Sequence, residues 1–140
     1  LSASPPMNRG SPSGILEAMS ELRLAAWEWR IGETHLRCSS EWLEMNGLSK
    51  DQEEVPFSFV EDTRHPRDLD SAKQALSRHL SGQAGFYYSE FRAKKPNGDL
   101  MYFADKGRVV EWNIDGKPSR MVGILSDITA VRNGRLGWGV

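Results

Sequence analysis

Residues 120–129 constrain the fold of this chain more than any other segment. Met121, Val122, Ile124 and Leu125 alternate between the two faces of an extended strand, so both faces are apolar. A strand that is apolar on both sides belongs in the middle of a sheet, with a layer of structure covering each face. We therefore expect a layered domain with this last strand at its centre.

The strands around this segment are joined by hairpins. Residues 86–93 alternate with period two, and residues 100–112 form a second long strand. Asn97-Gly98 and Asp115-Gly116 favour the tight turns that connect these strands to each other and to the last strand. Residues 26–31 and 35–38, separated by Gly32-Glu33, predict another hairpin near the start of the domain.

The segment between the two groups of strands is helical in its spacing. A short helix over residues 41–46 begins after Ser39 or Ser40, and Gly47 suits its C-cap. The longest helix begins at Pro66. Its apolar stripe contains Leu69, Ala72, Leu76 and Leu80. The order of strands, helices and strands predicts an α+β domain and not an alternating β/α chain.

The two ends of the chain are assigned separately. Residues 1–13 are rich in Pro and Ser and predict a flexible leader, and residues 14–23 predict an amphipathic helix that covers the outer face of the sheet. The domain itself extends over residues 24–132. Residues 133–140 contain no heptad pattern, so they are expected to be a truncated linker.

Composition excludes several classes of function. A formal net charge of -1 argues against a nucleic-acid partner. The longest apolar stretch is too short to span a bilayer, so we expect no membrane contact by this segment. The single cysteine, Cys38, excludes an internal disulfide and favours a cytoplasmic location. No catalytic triad order, phosphate-binding loop or metal-ligand spacing is present, so we expect a non-catalytic segment with no metal site.

Five blocks of sequence together resemble the PAS family of sensory domains, in the bacterial subgroup that ends in an Asp-Ile-Thr motif. They are Trp29 with its hairpin, residues 46–49, residues 65–68, residues 91–98 and residues 121–129. Where the family often has an acid after the tryptophan and a tryptophan in the fourth strand, this chain has Arg30 and Tyr102.

This resemblance implies a five-stranded antiparallel sheet of order 2-1-5-4-3, with the helices on one face and the N-terminal helix on the other. It also implies a cavity between the sheet and the helices. The residues expected to face that cavity are Trp29, Met45, Leu76, His79, Tyr87, Ser89, Phe91, Met121, Gly123 and Leu125. The same side chains would equally fill a core that holds no ligand, and both alternatives stay open here.

The resemblance also bears on cofactors. Flavin photochemistry in this family uses a cysteine in a helical Asn-Cys-Arg motif, whereas Cys38 lies on a predicted strand, so no flavin adduct is expected. Haem-binding members use an axial histidine, and His79 on the long helix is the candidate, although a half-buried structural role is favoured for it. The identity of any ligand is unknown, and the sequence requires no cofactor.

As a member of this family, the segment would bind a small ligand and relay its state to a covalently attached effector, either a histidine kinase or a cyclic-dinucleotide enzyme such as a diguanylate cyclase. Asp127 and Thr129 would then couple the exit of the last strand to the following helix. A ligand-free dimerisation module is the alternative. Its homodimer surface would combine the N-terminal helix with the outer sheet face, through Ile15, Leu16, Met19, Leu22, Val122 and Ile124.

Overall fold

The computed structural model describes residues 12–136, and the side chains of residues 12, 13, 15 and 133–136 are outside that description. The helices are α1 (Pro12–Glu21), α2 (Ser40–Met45), α3 (Phe57–Thr63), α4 (Pro66–Leu80) and α5 (Thr129–Leu136). The strands are β1 (Ala25–Arg30), β2 (His35–Cys38), β3 (Glu54–Pro56), β4 (Tyr87–Lys94), β5 (Leu100–Trp112) and β6 (Pro118–Asp127).

The strands form one antiparallel sheet of order β3-β2-β1-β6-β5-β4. β6 lies between β1 and β5, pairing Trp27 with Gly123 on one side and Gly107 with Gly123 on the other. Apart from β3, this is the predicted order, so the α+β class and the central position of the last strand are confirmed. The sheet has six strands and not the expected five, because Val55 in an otherwise polar run buries itself beside Leu36 and adds a three-residue edge strand.

The long helix begins where its sequence predicts. His65 is the N-cap residue, and its Nδ1 accepts a hydrogen bond from the backbone N–H of Arg67. Pro66 follows at the first helical position, where a missing N–H leaves no hydrogen bond unmade. Asp68 accepts two hydrogen bonds from the Arg92 guanidinium and one from the Arg92 backbone N–H, and these bonds fasten α4 to β4. This pair keeps the helix against the inner face of the sheet.

The N-terminal helix lies at the other face. Leu16 is buried, and Ser20 donates to a Glu41 carboxylate oxygen at 2.7 Å, which ties α1 to the start of α2. Arg23 adopts a left-handed conformation with φ 64°, which ends the helix before β1 begins. Of the predicted leader over residues 1–13, only the last two positions are described, and they belong to α1. Of the predicted linker, residues 133–136 continue α5 and residues 137–140 lie outside the described residues.

A charged cluster is buried on the same outer face. Glu28 on β1 is 1% exposed and Arg120 on β6 is 6% exposed. Arg120 donates to Glu28 at 3.2 Å and to Glu111 on β5 at 2.9 Å, so one guanidinium joins three adjacent strands. These bonds compensate part of the cost of burying Glu28, whose Oε1 has no hydrogen-bond partner among the described residues, and they connect the three middle strands of the sheet.

Trp27 determines how closely the helices can approach the inner face of the sheet. Its indole lies directly over Gly107 and Gly123, two glycines that face each other across β5 and β6. A Cβ atom added at Gly123 would lie 2.1 Å from the indole, and one added at Gly107 would lie 2.8 Å from it. The large ring therefore fits only because both positions lack a side chain.

Gly123→Ala is expected to lower the free energy of unfolding by about 2–3 kcal/mol, because the new methyl group forces the Trp27 indole away from its seat. Urea denaturation followed by circular dichroism measures this loss. Gly85→Ala is the matched control, since an added Cβ there meets no atom within 4 Å. It should change the stability by less than about 0.5 kcal/mol. Equal effects of the two substitutions would contradict the packing described for Trp27.

Candidate functional site

A chamber lies between the inner face of the sheet and the helices. It has a volume of about 230 Å³. Aromatic and aliphatic side chains form most of its wall, and the exposed residues Glu61 and Lys73 mark its opening to solvent. The remaining wall residues are Trp27, Trp29, Leu36, Phe57, Val60, Leu69, Ala72, Leu76, Tyr87, Asp105 and Met121. A concave apolar space with few polar groups is the usual form of a small-molecule site.

The chamber continues into a smaller void of about 70 Å³. Trp27, Tyr87 and Asp105 belong to the walls of both spaces. The additional residues at the deep end are Trp42, Arg64, Phe91 and Leu125. We call this smaller space the deep void and the larger one the outer chamber. The deep void is where charged side chains meet the apolar interior.

Arg64 is one of these charged side chains. It follows α3 and is only 6% exposed. Its guanidinium lies 5.0 Å from the ring centre of Phe91 and 5.3 Å from that of Phe103, and it donates to the Asn46 side-chain oxygen at 2.8 Å. Burial lowers the pKa of Arg64 to about 10, and the charge of Asp105 opposes that shift. Arg64 therefore remains a cation inside the core at neutral pH.

Asp105 is the second charged group. Its Oδ1 accepts a hydrogen bond from the Trp27 indole N–H at 2.7 Å. Burial raises the pKa of Asp105 to about 7, while the Trp27 bond and the Arg64 charge act in the opposite direction. Burial also raises the pKa of Tyr87 above its usual range, and the Asp105 charge adds to that shift. The protonation state of Asp105 thus changes near neutral pH, inside the chamber.

The structure brings together six of the ten residues predicted to face a cavity. Trp29, Leu76, Tyr87 and Met121 line the outer chamber. Phe91 and Leu125 line the deep void. Trp29 also donates its indole N–H to the Glu33 carbonyl at 2.8 Å, which fixes the ring at the outer end.

The other four predicted residues have different surroundings. Gly123 lies under the Trp27 ring, and Met45 packs against the core without lining either space. The Ser89 hydroxyl is bonded to the Tyr87 hydroxyl at 2.6 Å. His79 bonds through Nδ1 to the Ala84 carbonyl and accepts from the Val109 N–H at Nε2, so both ring nitrogens have backbone partners. This placement favours a structural role for His79 over an axial ligand.

Sequence reasoning missed Trp27, Arg64 and Asp105. Trp27 is two residues before Trp29, so strand alternation places both on one face. Asp105 lies on the same face of β5 as Phe103 and Gly107. A carboxylate within this apolar face could have been predicted from the sequence to lie in the interior. No comparable pattern points to Arg64, because its aromatic neighbours come from α2, β4 and β5.

Among the described residues, we also considered the single cysteine, possible metal ligands and possible membrane-spanning helices. Cys38 is the last residue of β2, and burial followed by the Asp105 charge raises its pKa far above the usual range. Between residues 12 and 136, no group of three or more His, Cys, Asp or Glu side chains could hold a metal ion. In that same range, no helix has the length and apolarity needed to cross a membrane.

The predicted relay residues lie at the junction of β6 and α5. Thr129 accepts a hydrogen bond from the Tyr102 N–H at 2.9 Å and donates to Asp127 Oδ1 at 2.6 Å. The Ile128 N–H donates to the Tyr102 carbonyl at 2.9 Å. Arg132 on α5 forms an ion pair with Glu90 on β4. The start of α5 is thereby bonded to the two strands that carry Tyr87, Phe91 and Asp105.

The predicted dimer residues are distributed over the outer face. Met19, Val122 and Ile124 line a shallow groove of about 300 Å³. Leu22 is 69% exposed, whereas Leu16 is buried. The Ile15 side chain lies outside the described residues. Phe86 and Val110 also line the groove and were not predicted.

The family model described as PAS fold matches residues 35–125. A sensory box histidine kinase/response regulator from Burkholderia thailandensis is 24% identical, with a TM-score of 0.70, and 86% of this chain covers 88% of that one. The N-terminal domain of a diguanylate cyclase with PAS/PAC sensor from Marinobacter aquaeolei is 15% identical, with a TM-score of 0.62 and coverages of 74% and 94%.

The PAS domain of the fruit-fly ELK potassium channel is 14% identical, with a TM-score of 0.64, and 86% of this chain covers 99% of that one. No curated protein sequence is significantly similar to the chain. These identities show a shared fold. The three similar structures belong to a histidine kinase/response regulator, a diguanylate cyclase and a potassium channel.

Asp105 predicts a specific pH dependence of stability. Its folded-state pKa of about 7 lies above the ordinary value of 3.8, so the folded state binds an additional proton between those values. Stability from this group is therefore gained as the pH falls through 7 and is lost as the pH rises again. Asp105→Asn keeps the acceptor for Trp27 and removes the titration. The stability of the wild type relative to this variant should increase by about 2–3 kcal/mol from pH 8 to pH 5.

Urea denaturation of both proteins at the two pH values measures this difference. Subtracting the variant removes the contributions of the other ionisable groups. A difference that does not depend on pH, or one that decreases on acidification, would contradict the burial of the carboxylate.

Proposed function

Because the chain belongs to the PAS-fold family, we propose that it is a sensory domain that binds a small molecule in the chamber and relays the bound state to an attached effector. The observation that supports this proposal is the chamber itself, with its apolar wall and the polar groups Arg64, Tyr87 and Asp105 at its deep end. The chamber opens to solvent beside Glu61 and Lys73, so a small molecule can reach its apolar wall.

The proposed relay begins at the chamber wall and ends at α5. Asp105 and Tyr102 lie three residues apart on β5, with Asp105 facing the chamber and the Tyr102 backbone bonded to Thr129. β4 contributes Tyr87 to the wall and Glu90 to the ion pair with Arg132. A ligand that displaces either strand therefore changes the position of α5.

The proposed effector follows from the similar structures. The similar structure from Burkholderia thailandensis belongs to a histidine kinase/response regulator, and the one from Marinobacter aquaeolei belongs to a diguanylate cyclase. We propose an effector of one of these two classes, a cytoplasmic location and no catalysis by the segment itself. The lone, buried Cys38 agrees with a reducing compartment.

Toluene is a suitable first probe, because it has the size of an aromatic side chain and no polar group. It is expected to raise the thermal midpoint of the wild-type protein by about 2–4 °C near saturation. Ala72 lines both the outer chamber and the deep void. Ala72→Phe should fill this space and abolish the response. An unresponsive wild type, or an equal response of the filled variant, would contradict a ligand chamber.

The relay has its own test in the same system. Toluene should change the amide exchange rates of Ile128, Thr129 and Arg132, whose backbone N–H groups are bonded at the junction. Asp127→Ala removes the acceptor for Thr129, so toluene should still raise the thermal midpoint but no longer change these rates. Asp115→Ala, in an exposed turn, is the matched control and should behave like the wild type. Preserved coupling in Asp127→Ala would exclude Asp127 from the relay.

A second candidate function is dimerisation through the outer face. The groove lined by Met19, Val122 and Ile124 is bordered by Phe86, which is 48% exposed, and Leu22 is 69% exposed on the adjacent helix. Apolar surface of this kind favours a second copy of the chain, because a twofold contact would cover the same patch on both subunits.

Light scattering at concentrations well above micromolar should give the mass of a dimer. Met19→Glu should shift the mass toward the monomer, because it places a charge within the groove. Glu17→Gln, on an exposed position of the same helix, should leave the dimer intact. A wild-type protein that remains monomeric would contradict this second function.

A further inference from the structure

The deep void contains two opposite charges with different hydrogen-bonding needs. Arg64 and Asp105 both belong to its wall, together with Tyr87. The Tyr87 hydroxyl is already bonded to Ser89. The polar chemistry that remains for a ligand is therefore that of the guanidinium and the carboxylate.

Arg64 has a donor to offer. Its Nη1 donates to Asn46 and to Thr63, whereas no hydrogen bond from its other terminal nitrogen, Nη2, is found among the described residues. Arg64 is part of the wall of the deep void, so an oxygen atom of a ligand in this void can accept a hydrogen bond from Nη2.

Asp105 has acceptor capacity to offer. Oδ1 accepts from the Trp27 indole N–H, and a carboxylate can accept several hydrogen bonds through its two oxygens. Among the described residues, no other hydrogen bond to the Asp105 carboxylate is found. A ligand N–H that enters the deep void would add one.

The sizes of the two spaces suit a ring that carries a small head group. The deep void of about 70 Å³ corresponds to roughly two water molecules at about 30 Å³ each, which is the scale of a carboxamide. The outer chamber of about 230 Å³ exceeds the roughly 150 Å³ of an apolar cavity that binds benzene. Trp29, Phe57 and Met121 supply the apolar contacts for the ring.

We propose that the chamber binds a small aromatic molecule with a neutral carboxamide-type head group, whose oxygen accepts from Arg64 Nη2 and whose N–H donates to Asp105. This inference rests on the proposed ligand-binding function and specifies the chemical class of the ligand.

The neutrality of the head group follows from the charges already present. Above its pKa of about 7, Asp105 is an anion that compensates the Arg64 cation in the wall of the same void. A carboxylate on the ligand would place a second anion beside Asp105, and an amidinium would place a second cation beside Arg64. Either ligand leaves an uncompensated buried charge, whereas a carboxamide supplies one acceptor and one donor without net charge.

Benzamide, benzoate and benzamidine test this proposal, because they share a ring and a planar three-atom head group but differ in charge and in donors. Isothermal titration at pH 8.5 keeps Asp105 mostly ionised. Benzamide should bind the wild-type protein at least about tenfold more tightly than either charged probe, since each charged probe leaves one buried group unmatched.

Asp105→Asn keeps one oxygen as the acceptor for Trp27, replaces the other oxygen by an NH2 donor and leaves the Arg64 charge uncompensated. In this variant the preference should reverse, with benzoate binding at least about tenfold more tightly than benzamide. Asp70→Asn makes the same chemical change at an exposed position of α4 and should keep the wild-type order. Circular dichroism and the thermal midpoint verify that each variant is folded.

The inference is overturned if benzoate or benzamidine binds the wild type as tightly as benzamide, if none of the three binds, or if Asp105→Asn preserves the order. The toluene measurement separates this failure from that of the proposed function. When toluene still stabilises the protein, the chamber binds ligands and only the head-group assignment is wrong. When toluene also fails, both are wrong.

Discussion

The seating of the Trp27 indole on two glycines is the contact on which the rest of the structure depends. Gly107 and Gly123 leave room for the ring above β5 and β6, and in that position its N–H donates to Asp105 at 2.7 Å. The same ring forms part of the wall of both the outer chamber and the deep void. The Trp27 side chain thus limits how closely the helices can approach the sheet. It also donates a hydrogen bond to Asp105 and lies between the sheet and both spaces.

Much of the fold could be predicted because it follows from local patterns. The apolar faces of residues 121–125 indicated the central strand, and the alternation in β4 placed Tyr87 and Phe91 on the inner face. The short edge strand was missed because only Val55 is buried in it. Strand alternation assigns a residue to a face but says nothing of what covers it, so Gly123 was expected to line a cavity that the Trp27 ring instead closes off.

The polar site was harder to predict, because it depends on contacts between distant segments. Arg64 is buried against rings from three elements, and its position in a polar run gave no sign of this. Asp105 could have been identified as a carboxylate between Phe103 and Gly107 on an apolar strand face, yet its raised pKa arises from burial that only the assembled layers produce. Strand β5 connects this carboxylate to the start of α5, through the hydrogen bonds between Tyr102 and Thr129. The domain therefore joins an ionisable interior to the start of α5.

The central claim is that an ionisable carboxylate lies half-buried between the sheet and the helices, with a raised pKa. Carbon-13 nuclear magnetic resonance of the aspartate side-chain carboxyl groups measures this directly, with Asp105→Asn used to assign the signal. A titration midpoint near 7 for Asp105 is the predicted result. A midpoint near the ordinary value of about 4 would show a solvated carboxylate and would contradict the account.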